Sequence, residues 1–255
     1  MTLTASDRLA GLHAALGLGP EPEAPRAGEQ ILAAILAEEL VGGQPDLGRV
    51  VSRWIAADDR PFACPVVARS LAELRRTGAP PADAAFGPGL GAVVVTLVAA
   101  GRLFQTPRNL VSGVYHLARL LDPHPVGAFA AVAAGVAAGR LLDGKRDFVP
   151  EVLDVLLNNQ APDALVAEVR RAPVWARSGT PAASPEAELG MVLWALHHFG
   201  PGPEVVEALE PLSPLGRLIG LALVGARHGP APLAREGHRA GGLESTPHIV
   251  EGPNG

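Results

Sequence analysis

The stretch Leu90-Gly91-Ala92-Val93-Val94-Val95-Thr96-Leu97-Val98-Ala99-Ala100-Gly101-Arg102-Leu103 decides the fold. Its Val93-Val94-Val95 core has strand propensity when taken alone. The run is longer than the usual strand of about 3–10 residues, and its neighbours on both sides carry helical periodicity. It therefore reads as a buried helix, and the chain with it as all-α.

Working outward, N-cap residues, glycines and prolines punctuate the rest. Asp7 can cap a helix over 7–16, which Gly17-Leu18-Gly19-Pro20 stops. Helices follow over 28–40, ended by Gly42-Gly43, and over 47–57, capped by Asp46 and with Val50, Val51, Trp54 and Ile55 on one face. Another covers 64–76 and closes at Gly78 before Pro80-Pro81. Beyond the opening stretch come helices over 107–121, 126–142, 148–158, 162–171, 185–199, 203–209 and 214–228. Pro185 suits a first helical turn, where its missing N–H costs nothing. No strand pair with a hairpin signal occurs. The expectation is a compact multi-helix single domain over residues 1–228 and a Gly/Pro-rich tail over 229–255.

Composition agrees. Of 255 residues, 48% are hydrophobic and 18% charged, so most helices must pack on several sides. Aromatics are 4%, leaving Ala, Leu and Val to fill the core. Small side chains let helix axes approach closely. The net charge of −5 comes from 26 acidic and 21 basic residues. Basic residues fall in scattered pairs (Arg75-Arg76, Lys145-Arg146, Arg170-Arg171), so no nucleic-acid partner is expected. Cys64, the only cysteine, excludes an internal disulfide and an all-cysteine metal site. Met1 to Arg8 has no basic region ahead of an apolar core. The apolar runs 90–100 and 126–138 fall short of the roughly 20 residues of a membrane helix. A soluble, cytoplasmic protein with no membrane partner is the expectation.

The order of segments is similar to that of the ADP-ribosylglycohydrolase family. Arg8-Leu9-Ala10-Gly11 and the small-residue helix ending at Gly19 resemble that family's opening helix, but Pro20 stands where the family has a metal-associated aspartate. Arg26-Ala27-Gly28-Glu29 replaces a Thr-Asp-Asp-Thr motif ahead of the helix Gln30 to Glu38. The helix with Val67 to Leu74, then Gly78, resembles the next segment, and Gly87-Pro88-Gly89 stands for Gly-Asn-Gly. In Leu121-Asp122-Pro123-His124-Pro125 the first two residues take the places of Thr-His, while Pro-His-Pro and the long alanine helix to Gly144 are kept. Pro185-Glu186-Ala187-Glu188 falls near the final Asp-Thr-Asp-Thr, with its acids offset.

The resemblance spans residues 8–228 and implies hydrolysis of a glycosidic bond to ADP-ribose at a two-magnesium centre. Magnesium is small and hard and needs near-octahedral oxygen ligands, which carboxylates supply with compensating charge. Proline, alanine and glycine offer none. Arg26 pointing inward would repel the ions; unit charges about 4 Å apart at an effective dielectric near 20 interact by about 4 kcal/mol, and a divalent ion doubles that. The two magnesium ions implied by the resemblance are therefore predicted absent, and no metal ligand is assigned.

Cleft candidates are Arg26, Glu29, Asp122, His124, Glu186 and Glu188. Each also has a structural reading. Acids at helix starts are favoured by the helix dipole, which covers Glu29, Glu186 and Glu188. Asp122 can cap the turn after Pro123, and His124 can be a solvent-exposed turn residue. His197-His198 can satisfy the carbonyls at a helix end. Cys64 reads as a small buried residue, and Trp54, Trp175 and Trp194 as core or cleft wall. His238 and His248 have no ligand spacing.

Three functions fit these residues. One is a pseudoenzyme that binds a small-molecule or protein ligand in a remodelled cleft. Another is a metal-independent enzyme using Glu29, Asp122 or Glu188 as acid or base. The third is an active ADP-ribosyl hydrolase, which requires a different alignment of the acidic motifs.

Overall fold

The computed structural model describes residues 3–18, 27–42, 45–57, 60–81, 87–174, 184–200 and 203–230. Arg26, Trp175, His238, His248 and the tail beyond residue 230 lie outside the described residues. Among the described residues there are twelve α-helices and no strand. They are α1 (Ala5–Ala15), α2 (Gly28–Glu39), α3 (Leu47–Ala56), α4 (Pro65–Thr77), α5 (Gly91–Leu103) and α6 (Pro107–Leu121), followed by α7 (Pro125–Leu142), α8 (Val149–Asn158), α9 (Asp163–Arg171), α10 (Pro185–His198), α11 (Pro203–Leu209) and α12 (Pro214–His228). A 3-10 turn, Leu40–Gly42, extends α2.

The stretch that decides the fold is helical. Every residue of α5 from Gly91 to Gly101 is buried, which is the condition for a helix that is apolar all round. Its one buried hydroxyl, Thr96, donates to the carbonyl of Ala92 at 2.8 Å, so the helix satisfies its own polar atom. The central helix is α7. It packs against α5, α6, α8, α10 and α12, and its alanines and glycines admit all of them at short range.

Two expectations need correction. The N-cap of α1 is Thr4, not Asp7. Thr4 Oγ1 accepts from the Asp7 N–H at 3.2 Å while the Asp7 carboxylate accepts from the Thr4 N–H at 2.9 Å, a reciprocal capping box with Asp7 at its third position. The second concerns length. Taking in Pro125 and running on to Leu142, α7 reaches 18 residues, long and apolar enough to cross a membrane. Here 89% of it is buried among the other helices.

The seam between α1 and α12 is tight. A Cβ added at Gly225 would stand 2.3 Å from the carbonyl oxygen of Gly11, and one at Gly11 would stand 2.4 Å from that of Gly225. Backbone meets backbone there, and only glycine fits on either side.

At one end of the bundle the C-termini of α7, α10 and α12 converge. Arg8 of α1 donates to Leu141 O at 3.4 Å and also to Arg227 O. Arg227 donates to Leu196 O and, at 3.2 Å, to Phe199 O. Guanidinium groups thus meet the partial negative charge of three helix ends. In this field His228 is pushed down to about 4 by burial and by the charges of Arg227, Arg8 and Arg146. The Lys145–Asp143 ion pair lies nearby in sequence.

The sign of the linkage follows from that shift. Below the ordinary histidine value of 6.5 the unfolded chain takes up a proton that folded His228 refuses. Stability is expected to fall as pH drops from 6.5 towards 4, and His228→Gln should flatten this part of the profile. Urea unfolding of both proteins at pH 7 and pH 5 checks it.

Candidate functional site

The first turn of α2, the start of α4, the loop before α5 and the corner between α6 and α7 meet through two buried carboxylates. Glu29 is 1% exposed. Its Oε1 accepts from the Cys64 N–H at 2.6 Å and its Oε2 from the Ala63 N–H at 3.1 Å. Cys64 is the N-cap residue of α4 and makes no side-chain cap bond itself. The carboxylate of one helix therefore closes the exposed N–H groups ahead of another. Burial pushes the Glu29 carboxyl up from its ordinary value, against the pull of these backbone bonds.

Asp122 is likewise 1% exposed. Its Oδ2 accepts from the Gly89 N–H and its Oδ1 from the His124 N–H, both at 2.9 Å. It ties the Gly87-Pro88-Gly89 loop to the entry of α7. Gly127 makes room for it, because a Cβ there would fall 1.8 Å from Oδ2. Burial raises this carboxyl too, opposed by both backbone bonds and by the charges of His124 and Arg119. His124 is half-buried, and its Nδ1 accepts from the Val126 N–H at 3.1 Å, so the imidazole is the N-cap of α7. Cys64 lies on the same seam: a Cβ at Gly89 would meet its Sγ at 2.6 Å. Burial holds the thiol above its ordinary value.

Glu29, Cys64, Gly89, Asp122 and His124 thus form one connected polar seam at the N-termini of α2, α4, α5 and α7. The acids of α10 are not bonded into it. Glu188 Oε2 accepts from the Ser213 hydroxyl at 2.6 Å, and Ser213 Oγ accepts from the Gly216 N–H at 3.1 Å. Glu188 thereby reinforces the N-cap of α12. Glu186 Oε2 is buried with no hydrogen-bond partner among the described residues. Arg26 lies outside the described residues. No group of three or more His, Cys, Asp or Glu side chains is placed to hold a metal ion among the described residues.

Other residues take structural places. Trp54 is fully buried and donates from Nε1 to Leu32 O at 3.1 Å. His198 bonds Ala172 O through Nε2 at 3.2 Å and lies against the Trp194 ring. His197 is held below its ordinary value by burial first, and then by the charges of His198 and Arg227.

Fold and seam together define a single all-helical domain built around a buried alanine helix, with carboxylates at helix N-termini on one side. This architecture is shared with a solved structure described as an "ADP-ribosylglycohydrolase-related protein complex", with a TM-score of 0.65 and 18% sequence identity over 90% of this chain and 90% of that chain. The likeness establishes the fold. No protein-family model matches the chain, and no curated protein matches it.

Sequence reading missed the basic end of the molecule. Arg8, Lys145-Arg146 and Arg227-His228 look unrelated along the chain, yet they line one cavity. The signal was present: the last two segments directly follow or end a long helix, where cations are favoured.

Proposed function

We propose that this chain is an ADP-ribosylglycohydrolase-like protein without magnesium-dependent hydrolase activity, acting by binding a small molecule or a partner in a cleft remodelled by the loss of the metal-binding acids. The observation that carries the reading is how the acids are used. Each of the four oxygens of Glu29 and Asp122 accepts a backbone N–H of the protein itself. In both groups burial outweighs the contacts that favour the anion. A magnesium site requires the reverse: accessible anionic oxygens in near-octahedral array, with several waters retained. Glu29 and Asp122, engaged in this way, do not offer the open oxygens that two such ions need.

A metal-independent catalyst is the second reading, and one feature favours it: a carboxyl raised by burial, such as Asp122, has the character of a general acid. Against it stands geometry. A proton donor must come within hydrogen-bond reach of the reacting atom, and Asp122 is 1% exposed with both oxygens engaged. Loss of acid–base work at Asp122 is the better-supported reading.

The discriminating experiment is hydrolysis of ADP-ribosylated peptide by the purified protein, with magnesium and with EDTA, beside mass spectrometry of any molecule that copurifies. The proposal expects no turnover above the buffer rate in either condition. Turnover that requires magnesium would overturn it in favour of an active hydrolase. Turnover indifferent to EDTA and abolished by Asp122→Asn would establish the second reading.

A further inference from the structure

A cavity of about 330 Å³ opens at the end where α7, α10 and α12 terminate, walled by Leu3 and by Arg8, Gly144, Lys145, Arg146, Arg227 and His228. It lies at the opposite end of α7 from Asp122, a separation of roughly 27 Å for 18 residues at about 1.5 Å each. It therefore stands independently of the function proposed above.

Four permanent cations line this space, and helix capping accounts for only part of them. Arg8 and Arg227 donate to carbonyls at the ends of α7, α12 and α10. Those contacts fix the guanidinium groups but supply only partial charges, not an anion. Among the described residues, Arg8, Arg146 and Arg227 form no ion pair, and Lys145 has a single one, to Asp143 at 3.3 Å between half-exposed side chains. The Arg227 Nε–H is buried without a hydrogen-bond partner among the described residues. Such an orphaned donor is costly unless something accepts from it. A half-enclosed space with surplus positive charge on its wall matches an anion.

We propose that this cavity binds a small phosphate-bearing molecule, a free dianion or trianion, through Arg8, Lys145, Arg146 and Arg227. Forked guanidinium groups suit phosphate oxygens because they present parallel N–H donors. The volume lies at the lower end of the roughly 300–1,000 Å³ typical of ligand pockets. That is room for a diphosphate or a sugar phosphate rather than a polymer. The imidazole of His228, kept neutral by burial and the surrounding arginines, becomes a reporter, since a bound anion cancels part of the field that discharges it.

The probe is inorganic pyrophosphate, titrated calorimetrically into the full chain and into Lys145→Glu/Arg146→Glu. Among the described residues these two side chains make no hydrogen bond to a helix end, so the capping by Arg8 and Arg227 stays intact. Arg108→Glu, at an exposed residue of α6, applies half that change in net charge away from the cavity and so reports its long-range effect. One-to-one binding is expected, weakened by about tenfold or more in the double variant and by less than about twofold in the control. On saturation, the NMR titration of His228 should move up towards the ordinary histidine value. Absence of saturable binding to the folded wild type would overturn the proposal, as would equal weakening by Arg108→Glu. Vesicles of phosphatidylserine form the other arm: binding to them in preference to pyrophosphate, with the same residue dependence, would assign the basic end to a membrane surface and reject the free ligand. Should the double variant fail to fold, Arg146→Ala and the His228 titration carry the same decision.

Discussion

Gly225→Leu is expected to lower the melting temperature by roughly 6–12 °C. The added Cβ would stand 2.3 Å from the Gly11 carbonyl oxygen, 2.5 Å from its carbonyl carbon and 2.9 Å from the Leu12 nitrogen. All three are backbone atoms of α1, so no rotamer change can relieve the contact. The helices must separate along their whole seam, and the packing of Leu12 and Val224 goes with it. Overpacking of this kind costs about 3 kcal/mol, and a domain of this size loses roughly 2–4 °C per kcal/mol. Gly113→Ala is the informative control. Its Cβ would meet only the flexible tip of Leu103, at 3.3 Å, and alanine improves helix propensity by about 1 kcal/mol. A thermal melt of the two variants separates a seam that demands glycine from a general intolerance of larger residues.

Asp122→Ala ranks second, with an expected loss of about 3 kcal/mol in urea unfolding. Two backbone donors, Gly89 and His124, lose their acceptor. Each hydrogen bond to a charged group contributes about 1.5–3 kcal/mol, and release of a buried carboxylate from its desolvation cost returns part of the total. The change also empties a space that Gly127 leaves open for the carboxylate, so Asp122→Ala/Gly127→Ala should recover some stability. A substitution at a metal ligand would behave differently: removing a negative charge from an array of acids relieves repulsion in the metal-free protein. The sign of the stability change therefore bears on what Asp122 is for.

The helices were legible because their boundaries are written in residues with a single local meaning. Pro107, Pro185, Pro203 and Pro214 each open a helix at the position read from sequence, and Gly78 closes α4. The opening stretch was resolved by length against propensity. At α1 Thr4 and Asp7, three positions apart, both carry capping side chains, and that spacing is the signal of a capping box. The candidate seam was legible in part. Glu29 and Asp122 stand out in the sequence as acids near motif positions, and Asp122 beside Pro123 suits a turn-holding role. That Glu29 would reach across to cap α4 is a contact 35 positions away, with nothing local to announce it. The basic cavity was illegible for the same reason: Arg8 meets Leu141 and Arg227 across 133 and 219 positions. Three helix ends convert scattered pairs into one surface, and charge summed along a chain does not register that convergence.

We propose that the acids of this scaffold hold the backbone together instead of holding cations. Calorimetric titration of the purified protein with magnesium chloride addresses it directly. No saturable heat is predicted up to millimolar magnesium, and no gain in melting temperature on adding it. Two ions bound at micromolar affinity, with binding lost in Glu29→Gln or Asp122→Asn, would contradict the account.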